Sequence, residues 1–335
     1  MRRIAVINQK GGVGKTTTTV NLGAALARLG YRTLVCDLDP QCNLTVHLGE
    51  DPAVVSPSLY ELFIGQATLA EVVKPTSQPG LEMIPASIDL AGVELELVNE
   101  VGREMILRHA FERDEADRAE HYDFILVDCP PSLGLLSLNA LVGCDELFVP
   151  IQAEFFALQG LGKLLEIVDL VRSRLNPRLE ISSMVSCRHD PSTNLSRAVI
   201  ADVASHFGDI MLKAPIRRDI KLAEAPSHGK TIFEYAPGSR GAHDYLTLAQ
   251  ELSGRSLSTE AAELAMRQPA IVEAAKPVEP PVEPPVEPAV EPAVELAKRP
   301  GDAEPPEEDL TDGLTPAQRF LRKSGGAERN WKEAR

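Results

Sequence analysis

Aromatic residues are scarce in this sequence and long hydrophobic runs are missing, and both absences narrow the range of functions. Aromatic side chains make up 4% of the 335 residues and include one tryptophan, so stacking of nucleic-acid bases on aromatic platforms is not an expected binding mode. No apolar run could cross a bilayer, and the first apolar segment soon ends at a polar loop, which argues against a signal peptide. We therefore expect a cytoplasmic protein without stable membrane insertion.

Two further shortages concern cysteine pairs and positive charge. The five cysteines are odd in number and contain no C-x-x-C pair, which argues against zinc and against a disulfide framework and favours reduced thiols. The 34 Lys and Arg stand against 49 Asp and Glu, for a formal net charge of −15. Because a field of this sign repels phosphate, binding to nucleic acid would need a local basic patch.

Composition divides the chain near residue 255. Residues 1–255 have the mixed composition of one globular domain, whereas residues 256–313 are rich in Pro, Glu, Val and Ala and contain a four-residue Val-Glu-Pro-Pro repeat. Frequent proline prevents helix and sheet, and 14 acids against 4 bases extend the chain, so this part is predicted to be a disordered linker. Residues 314–335 carry 6 bases against 2 acids and are either a partner-docking peptide or simply a charged terminus.

A glycine-rich loop between a predicted strand and a predicted helix organises the domain. The apolar run Ile4–Ile7 precedes it, and a helical pattern follows it as far as Leu29. Glycines let backbone N–H groups curl around phosphate oxygens, and the helix adds its partial positive N-terminus. The loop consists of Gln9, Lys10, Gly11, Gly12, Val13, Gly14, Lys15, Thr16 and Thr17.

Two side chains of this loop have defined roles in phosphate chemistry. Lys15 is expected to reach the β- and γ-phosphates, and the Thr16 hydroxyl to bind Mg²⁺. The usual pattern G-x-x-x-x-G-K-[ST] is not quite met, because Gln9 occupies the position of the first glycine. A second lysine, Lys10, opens the loop instead.

A loop written Lys-Gly-Gly-Val-Gly-Lys-Thr-Thr resembles the deviant Walker A motif of the ParA/MinD family of P-loop ATPases. The resemblance covers residues 1 to about 253. It implies an α/β P-loop NTPase fold, in which a doubly wound, mostly parallel sheet has helices on both faces. It further implies that ATP and Mg²⁺ bind at residues 10–17, and that Lys10 reaches phosphates held by the second subunit of an ATP-dependent homodimer.

Two more predicted strands end in acids. Thr33–Cys36 leads to Asp37 and Asp39, and a run of four apolar residues leads to Asp128 in a Walker B pattern. The carboxyl ends of strands are where open α/β sheets bind ligands. Asp37 and Asp128 are therefore predicted to support Mg²⁺, and Asp39 to orient an attacking water; the resemblance ties this last position to hydrolysis.

Two segments beside these acids also resemble the family. Residues 128–134 are similar to its switch segment, which can report the presence of a γ-phosphate. Cys42 stands where the family commonly has glycine, and only a packing consequence is expected. Residues 154–160 are similar to a motif that separates ParA-like from MinD-like members.

Hydrophobic periodicity predicts the remaining elements. A helix is expected over 58–64, a strand over 81–85, and a long helical stretch from Ile88 to Glu112 with a buried stripe. Further strands are expected over 146–151 and 181–185, and helices over 157–175 and after residue 193. The predicted stripe consists of Leu90, Val93, Leu97, Val101 and Met105.

The best DNA-binding candidates are Arg217, Arg218 and Lys221, which are clustered in sequence. Their surroundings, residues 215–229, resemble a ParA stretch, which implies that loops near 215 and at Pro226 flank the nucleotide base. The family often has arginine where this chain has Ser192, so DNA affinity is either weaker than usual or restored by Arg188 and Arg197. Contact with phosphates, independent of sequence, is the expected mode.

The resemblance implies a weakly active ATPase that partitions chromosome or plasmid DNA with a ParB-like partner and associates with the nucleoid when bound to ATP. Only Met1-Arg2-Arg3 precede the first strand, where relatives commonly have more basic residues, so the mode of partner stimulation stays open. A second reading keeps the ATPase but gives it a protein cargo, such as a chemoreceptor array or scaffold, with the tail as adaptor. A third, an iron–sulfur reductase like the nitrogenase iron protein, would need suitably placed cysteines, and Cys129 and Cys144 lack that family's glycine-flanked context.

Overall fold

The computed structural model of the chain describes residues 1–117, 121–152, 157–189 and 194–255. The predicted linker and terminal segment, the 154–156 part of the ParA-like motif and Ser192 lie outside these residues. The strands are β1 Arg2–Val6, β2 Thr33–Asp37, β3 Lys74–Pro75, β4 Leu81–Ile84, β5 Phe124–Asp128, β6 Glu146–Gln152, β7 Glu180–His189 and β8 Ile216–Arg217.

These strands form one sheet in the order β3-β4-β2-β5-β1-β6-β7-β8. Neighbours pair in parallel except β3, which is antiparallel to β4. The α-helices of the described residues are α1 Lys15–Arg28, α2 Asn43–His47, α3 Leu59–Phe63, α4 Leu69–Val72, α5 Val93–Glu96, α6 Ile106–Asp117, α7 Leu135–Gly143, α8 Ala157–Arg174, α9 Asn194–Phe207, α10 Ile220–Glu224, α11 Ile232–Tyr235 and α12 Arg240–Ser253.

Helices cover both faces of the sheet. The crossover from β1 to β2 through α1 and the crossover from β5 to β6 through α7 run in opposite directions across the sheet. Since such crossovers are right-handed, α1 and α7 lie on opposite faces. The predicted doubly wound α/β fold is confirmed.

The central strands are apolar because they are covered on both sides. Every residue of β2 and β5 is buried, as are the last four of β1. The strand register places Val6 beside Asp128, and Asp128 beside Asp37. The ends of three neighbouring strands, and the loops that follow them, therefore meet at one edge of the sheet.

The prediction of one long helix over 88–112 is wrong. This segment begins as a 3₁₀ turn, passes through α5 into a second 3₁₀ turn, Leu97–Asn99, and resumes only at a third, Arg103–Met105, which leads into α6. Gly102 lies between the second and third turns with a φ of 78°, which redirects the backbone. Helical spacing persists within each piece, so periodicity alone did not reveal the interruption.

The predicted stripe on this segment is correct only in its first half. Leu90, Val93 and Leu97 are buried, whereas Val101 is 101% exposed. The interruption at Gly102 is the physical reason, because it ends the face that the first three residues share. Val101 thus belongs to the surface.

Cys42 departs from expectation in its backbone. It precedes α2 with φ 56° and ψ 28°, in the left-handed region that disfavours residues with a Cβ atom by about 1–2 kcal/mol. Its buried Sγ lies 3.4 Å from the carbonyl oxygen of Pro40. The expectation of a packing effect alone is therefore wrong, since a glycine here would also relieve backbone strain.

Two substitutions separate these effects. Cys42→Gly and Cys42→Ala both remove Sγ, but only glycine relieves the left-handed φ, so we expect the glycine variant to have the larger free energy of unfolding, by about 0.5–1 kcal/mol. Urea denaturation measures the difference. The matched pair at buried Cys144, whose φ is −106°, should show the opposite order. An alanine variant at 42 as stable as the glycine variant would refute the strain.

Candidate nucleotide-binding site

The loop after β1 has the backbone shape of a phosphate cradle. Gly12 and Gly14 have φ values of 72° and 101°, which a residue with a Cβ atom rarely adopts. The amide of Thr18 donates to the carbonyl of Gly14 at 2.9 Å and so begins α1, whose N-terminus has no side-chain cap. Its first amides are therefore oriented toward the loop and suited to an anion.

Contacts on both sides hold the loop in place. Val13 is completely buried beneath it. Asn8 accepts a hydrogen bond from the Lys10 amide at 2.9 Å and donates to the carbonyl of Pro150, in β6, at 2.7 Å. These contacts fix the position of Lys10 relative to the sheet.

Lys15 folds back over the loop. Its Nζ donates to the carbonyl oxygen of Lys10 at 3.3 Å, and the residue is 7% exposed. Burial lowers the pKa of Lys15, while the nearby Asp128 carboxylate acts in the opposite direction. The ammonium group is thus placed beside the cradle with a negative charge close to it.

Asp128, at the end of β5, carries an unsatisfied buried oxygen. Its Oδ1 accepts from the Thr19 hydroxyl at 3.4 Å, and the nearby Thr16 hydroxyl acts to lower the pKa of the carboxylate. Its Oδ2 is buried without a hydrogen-bond partner among the described residues. Burial raises the pKa of Asp128 well above its usual value, and the neighbouring Asp37 carboxylate raises it further. The site therefore favours a cation beside this oxygen.

Asp37 is occupied on both oxygens. Oδ2 accepts from the amide and the hydroxyl of Thr45, at 2.8 and 2.6 Å, and Oδ1 accepts from the Asp39 amide at 3.3 Å. Burial raises its pKa to about 6, and the Thr45 hydrogen bonds oppose that shift. Asp37 thus anchors α2 to the end of β2 and adds negative charge behind Asp128; its support of Mg²⁺ remains a prediction.

Asp39 lies in the turn between β2 and α2. Its Oδ1 accepts from the amide of Gln41 at 3.0 Å, and the residue is 7% exposed. Its charge acts on both Lys15 and Asp128, so the structure brings together the predicted acids and the loop lysine.

The residues present fit a magnesium ion bound together with phosphates. The described residues contain no cluster of three or more His, Cys, Asp or Glu side chains suited to hold a metal alone. Mg²⁺ in nucleotide sites needs only one or two protein ligands, with phosphates and waters supplying the rest. The unpaired Asp128 oxygen and the adjacent Thr16 hydroxyl meet that requirement.

Arg188 was not predicted at this site. It lies at an irregularity in the pairing of β7 with β8 and has a φ of 51°. Its exposed side chain donates to the carbonyl oxygen of Gly12 at 3.4 Å. No local sequence pattern announces a left-handed arginine in a strand, so this contact could only be found in the structure.

The proposed base-flanking loop packs beside α2. Pro226 lies in the 3₁₀ turn Ala225–His228, and the ring of buried His47, in α2, lies close to the backbone of Lys230. Asn21 of α1 accepts from the amide of Ile232 at 2.7 Å. These contacts link the segment around Pro226 to both α1 and α2.

Two of the DNA-binding candidates are already engaged in ion pairs. Arg217 binds the Asp244 carboxylate through Nε at 3.1 Å and Nη2 at 2.6 Å. Lys221 Nζ lies 2.7 Å from Glu224. Arg218 is exposed and forms no ion pair within the part of the chain that the structure describes.

The positions of two cysteines and the lengths of the helices bear on the iron–sulfur alternative and on membrane insertion. Cys129 and Cys144 are both 0% exposed, so neither reaches a surface where two subunits could share an iron–sulfur cluster. Within the described ranges, every helix is too short or too polar to span a bilayer.

Comparison with known proteins decides the family. Residues 1–181 match a family described as an AAA domain. The "sporulation initiation inhibitor protein Soj" of Bacillus subtilis is 47% identical over 250 residues, covering 75% of this chain and 97% of that relative. This chain belongs to the ParA/Soj family of chromosome-partitioning ATPases.

A second relative and a solved structure agree with this assignment in sequence and in fold. The "chromosome partitioning protein ParA" of Caulobacter vibrioides is 44% identical over 261 residues, covering 78% of this chain and 97% of that relative. A solved structure of cobyrinic acid a,c-diamide synthase from Mycobacterium smegmatis, with bound ATP analogue and magnesium, has a TM-score of 0.65 and 37% identity over 76% of this chain and 94% of its own. The ParA/MinD resemblance is thereby confirmed.

The contact between α2 and the Pro226 segment makes stability depend on pH. Burial lowers the pKa of His47 from 6.5 to about 4, and its Nε2 has no hydrogen-bond partner among the described residues. Between these values the unfolded chain binds more protons than the folded one, so stability is intact above pH 6.5 and falls as the pH decreases toward 4. The loss attributable to this residue is up to about 3 kcal/mol.

The variant His47→Gln keeps an amide donor but cannot take up a proton. We expect its free energy of unfolding, measured by urea denaturation from pH 7 to 4, to decline less than that of the wild type. The exposed His109→Gln serves as the control and should follow the wild-type profile. Parallel profiles for His47→Gln and the wild type would contradict this origin of acid sensitivity.

Proposed function

We propose that this ParA/Soj ATPase binds Mg-ATP, dimerises around it, binds DNA without sequence preference as a dimer, and is released by hydrolysis. The observation that carries the proposal is the buried, unpaired Oδ2 of Asp128 beside Thr16 and Lys15. An uncompensated buried carboxylate is costly, and a nucleotide-bound cation would offset that cost.

The loop residues would divide the work of binding. Amides of residues 11–17 surround the phosphates, and Lys15 contacts the β- and γ-phosphates. Thr16 and Asp128 would hold Mg²⁺, and Asp37 would support the ion by adding negative charge behind Asp128. Mg²⁺ bound there would neutralise charge that builds on the phosphates during transfer.

A second copy of the chain would complete the site. Gly11 and Gly12 are exposed and Lys10 is half-buried, so the outer face of the loop is open to a facing subunit. Lys10 would cross to the partner's phosphates, and Asp39, close to Lys15, would position the attacking water.

DNA binding would depend on the surface around β8 and α10. Arg218, Lys213 and Lys230 are exposed there, whereas Arg217 is held by the Asp244 carboxylate. Phosphate contacts from such a patch carry no sequence information, which suits a nonspecific nucleoid binder. We therefore assign Arg218 the main contact and Arg217 a mainly structural role.

The cargo proposed first is chromosome or plasmid DNA, moved with a ParB-like partner, because relatives such as the Caulobacter vibrioides protein are named for chromosome partitioning. A protein cargo is the second candidate. It is favoured by the change in composition after residue 255, where an acidic Pro-rich stretch leads into a basic segment suited to an adaptor.

Asp39→Ala tests the catalytic assignment in the full chain. We expect ATP turnover to fall at least 100-fold, because the attacking water loses its orienting carboxylate, while the ATP-bound dimer accumulates. Phosphate release and sedimentation measure the two effects, and proteins that co-purify with this variant identify the cargo. Lys10→Ala is the matched control and should stay monomeric with ATP. Unchanged turnover in Asp39→Ala would refute the role of Asp39.

Arg218→Ala tests the DNA-contact assignment. We expect about a tenfold loss of affinity for a nonspecific duplex in the presence of ATP, and a smaller dependence of affinity on salt, because one phosphate contact disappears. Fluorescence anisotropy across a salt series measures both. Arg113→Ala, which removes an exposed arginine of α6, should bind like the wild type. Equal losses in the two variants would indicate a general charge effect and exclude a local patch.

A further inference from the structure

The segment 88–104 exposes apolar side chains that nothing in the described structure covers. It contains four of the nine exposed large hydrophobic residues of the described chain. Leu95 and Val98 are 80% and 57% exposed, and Val101 is fully exposed. Their spacing of three residues, through helical turns, places Leu95 and Val98 on one face with Val101 directly after them. The fourth is Ile88.

The same segment is strongly acidic. Its acids outnumber its bases five to one. The single base, Arg103, is tied to the backbone of the same segment, since its Nη1 donates to the carbonyl of Val98 at 3.1 Å. We call this exposed region the acidic apolar surface; its acids are Asp89, Glu94, Glu96, Glu100 and Glu104.

A groove continues this surface toward α6. It has a volume of about 770 Å³ and lies between residues 62–71 on one side and α6 on the other. Leu97 and Val101 contribute apolar lining, so the groove and the acidic apolar surface share side chains. The acids along it are Glu71, Glu96, Glu100, Asp114 and Asp117, against the bases Arg103, His109 and Arg113.

The acidic apolar surface is joined to the switch segment. Glu94 packs closely on Gly134, where an added Cβ atom would clash with its Oε1. Buried Asn139, in α7, donates to the carbonyl of Arg103 at 2.9 Å and accepts from the amide of Leu107 at 3.2 Å. Because α7 begins directly after residues 128–134, these contacts connect that segment to the surface.

We propose that the acidic apolar surface and its groove bind a basic, amphipathic helical segment of a partner protein. Exposed aliphatic side chains flanked by acids match a helix with an apolar face and Lys or Arg beside it. A second copy of this chain is a poorer fit, because it would bring the same five acids into opposition. The contacts with Gly134 and α7 make this binding sensitive to the nucleotide; that part alone rests on the proposed function.

A designed peptide provides the test with the full chain. The probe is a fluorescein-labelled 15-residue helical peptide with Leu along one face and Lys and Arg along its borders. We expect micromolar binding by anisotropy, and at least tenfold weaker binding to the triple variant Leu95→Ser, Val98→Ser, Glu100→Gln. The variant alters exposed side chains only, and urea denaturation checks that it folds. Hydrogen exchange should show protection within 88–117.

Two controls distinguish this surface from general attraction to an acidic protein. The matched variant Leu170→Ser, Glu166→Gln, Asp169→Asn removes an exposed leucine and two acids from α8 and should bind the peptide like the wild type. A peptide with Glu in place of its basic residues should not bind. No binding of the basic peptide, equal losses in both variants, or protection elsewhere overturns the proposal.

The two remaining outcomes concern a second copy and the nucleotide. If the triple variant at residues 95, 98 and 100 changes the sedimentation of the chain without peptide, the surface is an interface between two copies of this chain and the proposal fails. Peptide affinity should differ at least threefold between ADP and a slowly hydrolysed ATP analogue. If the peptide binds equally tightly in both states and the chain still binds nucleotide, the coupling is refuted while the docking proposal stands. If the chain binds no nucleotide, the result counts against the proposed function instead.

Discussion

The buried, unpaired oxygen of Asp128 is the feature on which the rest of the site depends. Strand register places this acid level with Asp37, so two carboxylates share an interior edge of the sheet. Burial raises both pKa values, and the Asp37 carboxylate raises that of Asp128 further, while Lys15 and the Thr16 hydroxyl compensate at Asp128 only in part. A cation would stabilise such a group, and the phosphate cradle beside it accounts for how the proposed cation would arrive.

The loops around this edge are connected to one another. Asp37 holds α2 through Thr45, and α2 in turn packs on the Pro226 segment through His47 and the Lys230 backbone. On the other side, the segment after Asp128 leads into α7, whose Asn139 holds the residues that follow the acidic apolar surface. In the proposed function, a change at the phosphates would therefore reach both the Pro226 segment and the acidic apolar surface.

Sequence reasoning recovered what is local and missed what depends on distant partners. The phosphate loop, Asp37, Asp39 and Asp128 follow from strands that end in short motifs, and the structure brings them together. The ion pair of Arg217 joins residues 27 positions apart, and the left-handed Arg188 depends on a strand irregularity, so neither has a local signature. The prediction of a helix over 88–112 was wrong because its pieces keep helical spacing on both sides of Gly102, which redirects the backbone. The expectation for Cys42 was wrong because a sequence does not show the backbone φ of a residue.

Calorimetric titration of ATP into the full-length chain, with and without Mg²⁺, tests the role of Asp128 most directly. The wild type should bind ATP at least tenfold more tightly with Mg²⁺ than without it. Asp128→Asn should lose most of that increment while still binding ATP alone, because the loop and Lys15 are intact. An equal Mg²⁺ increment in the two proteins would contradict the account.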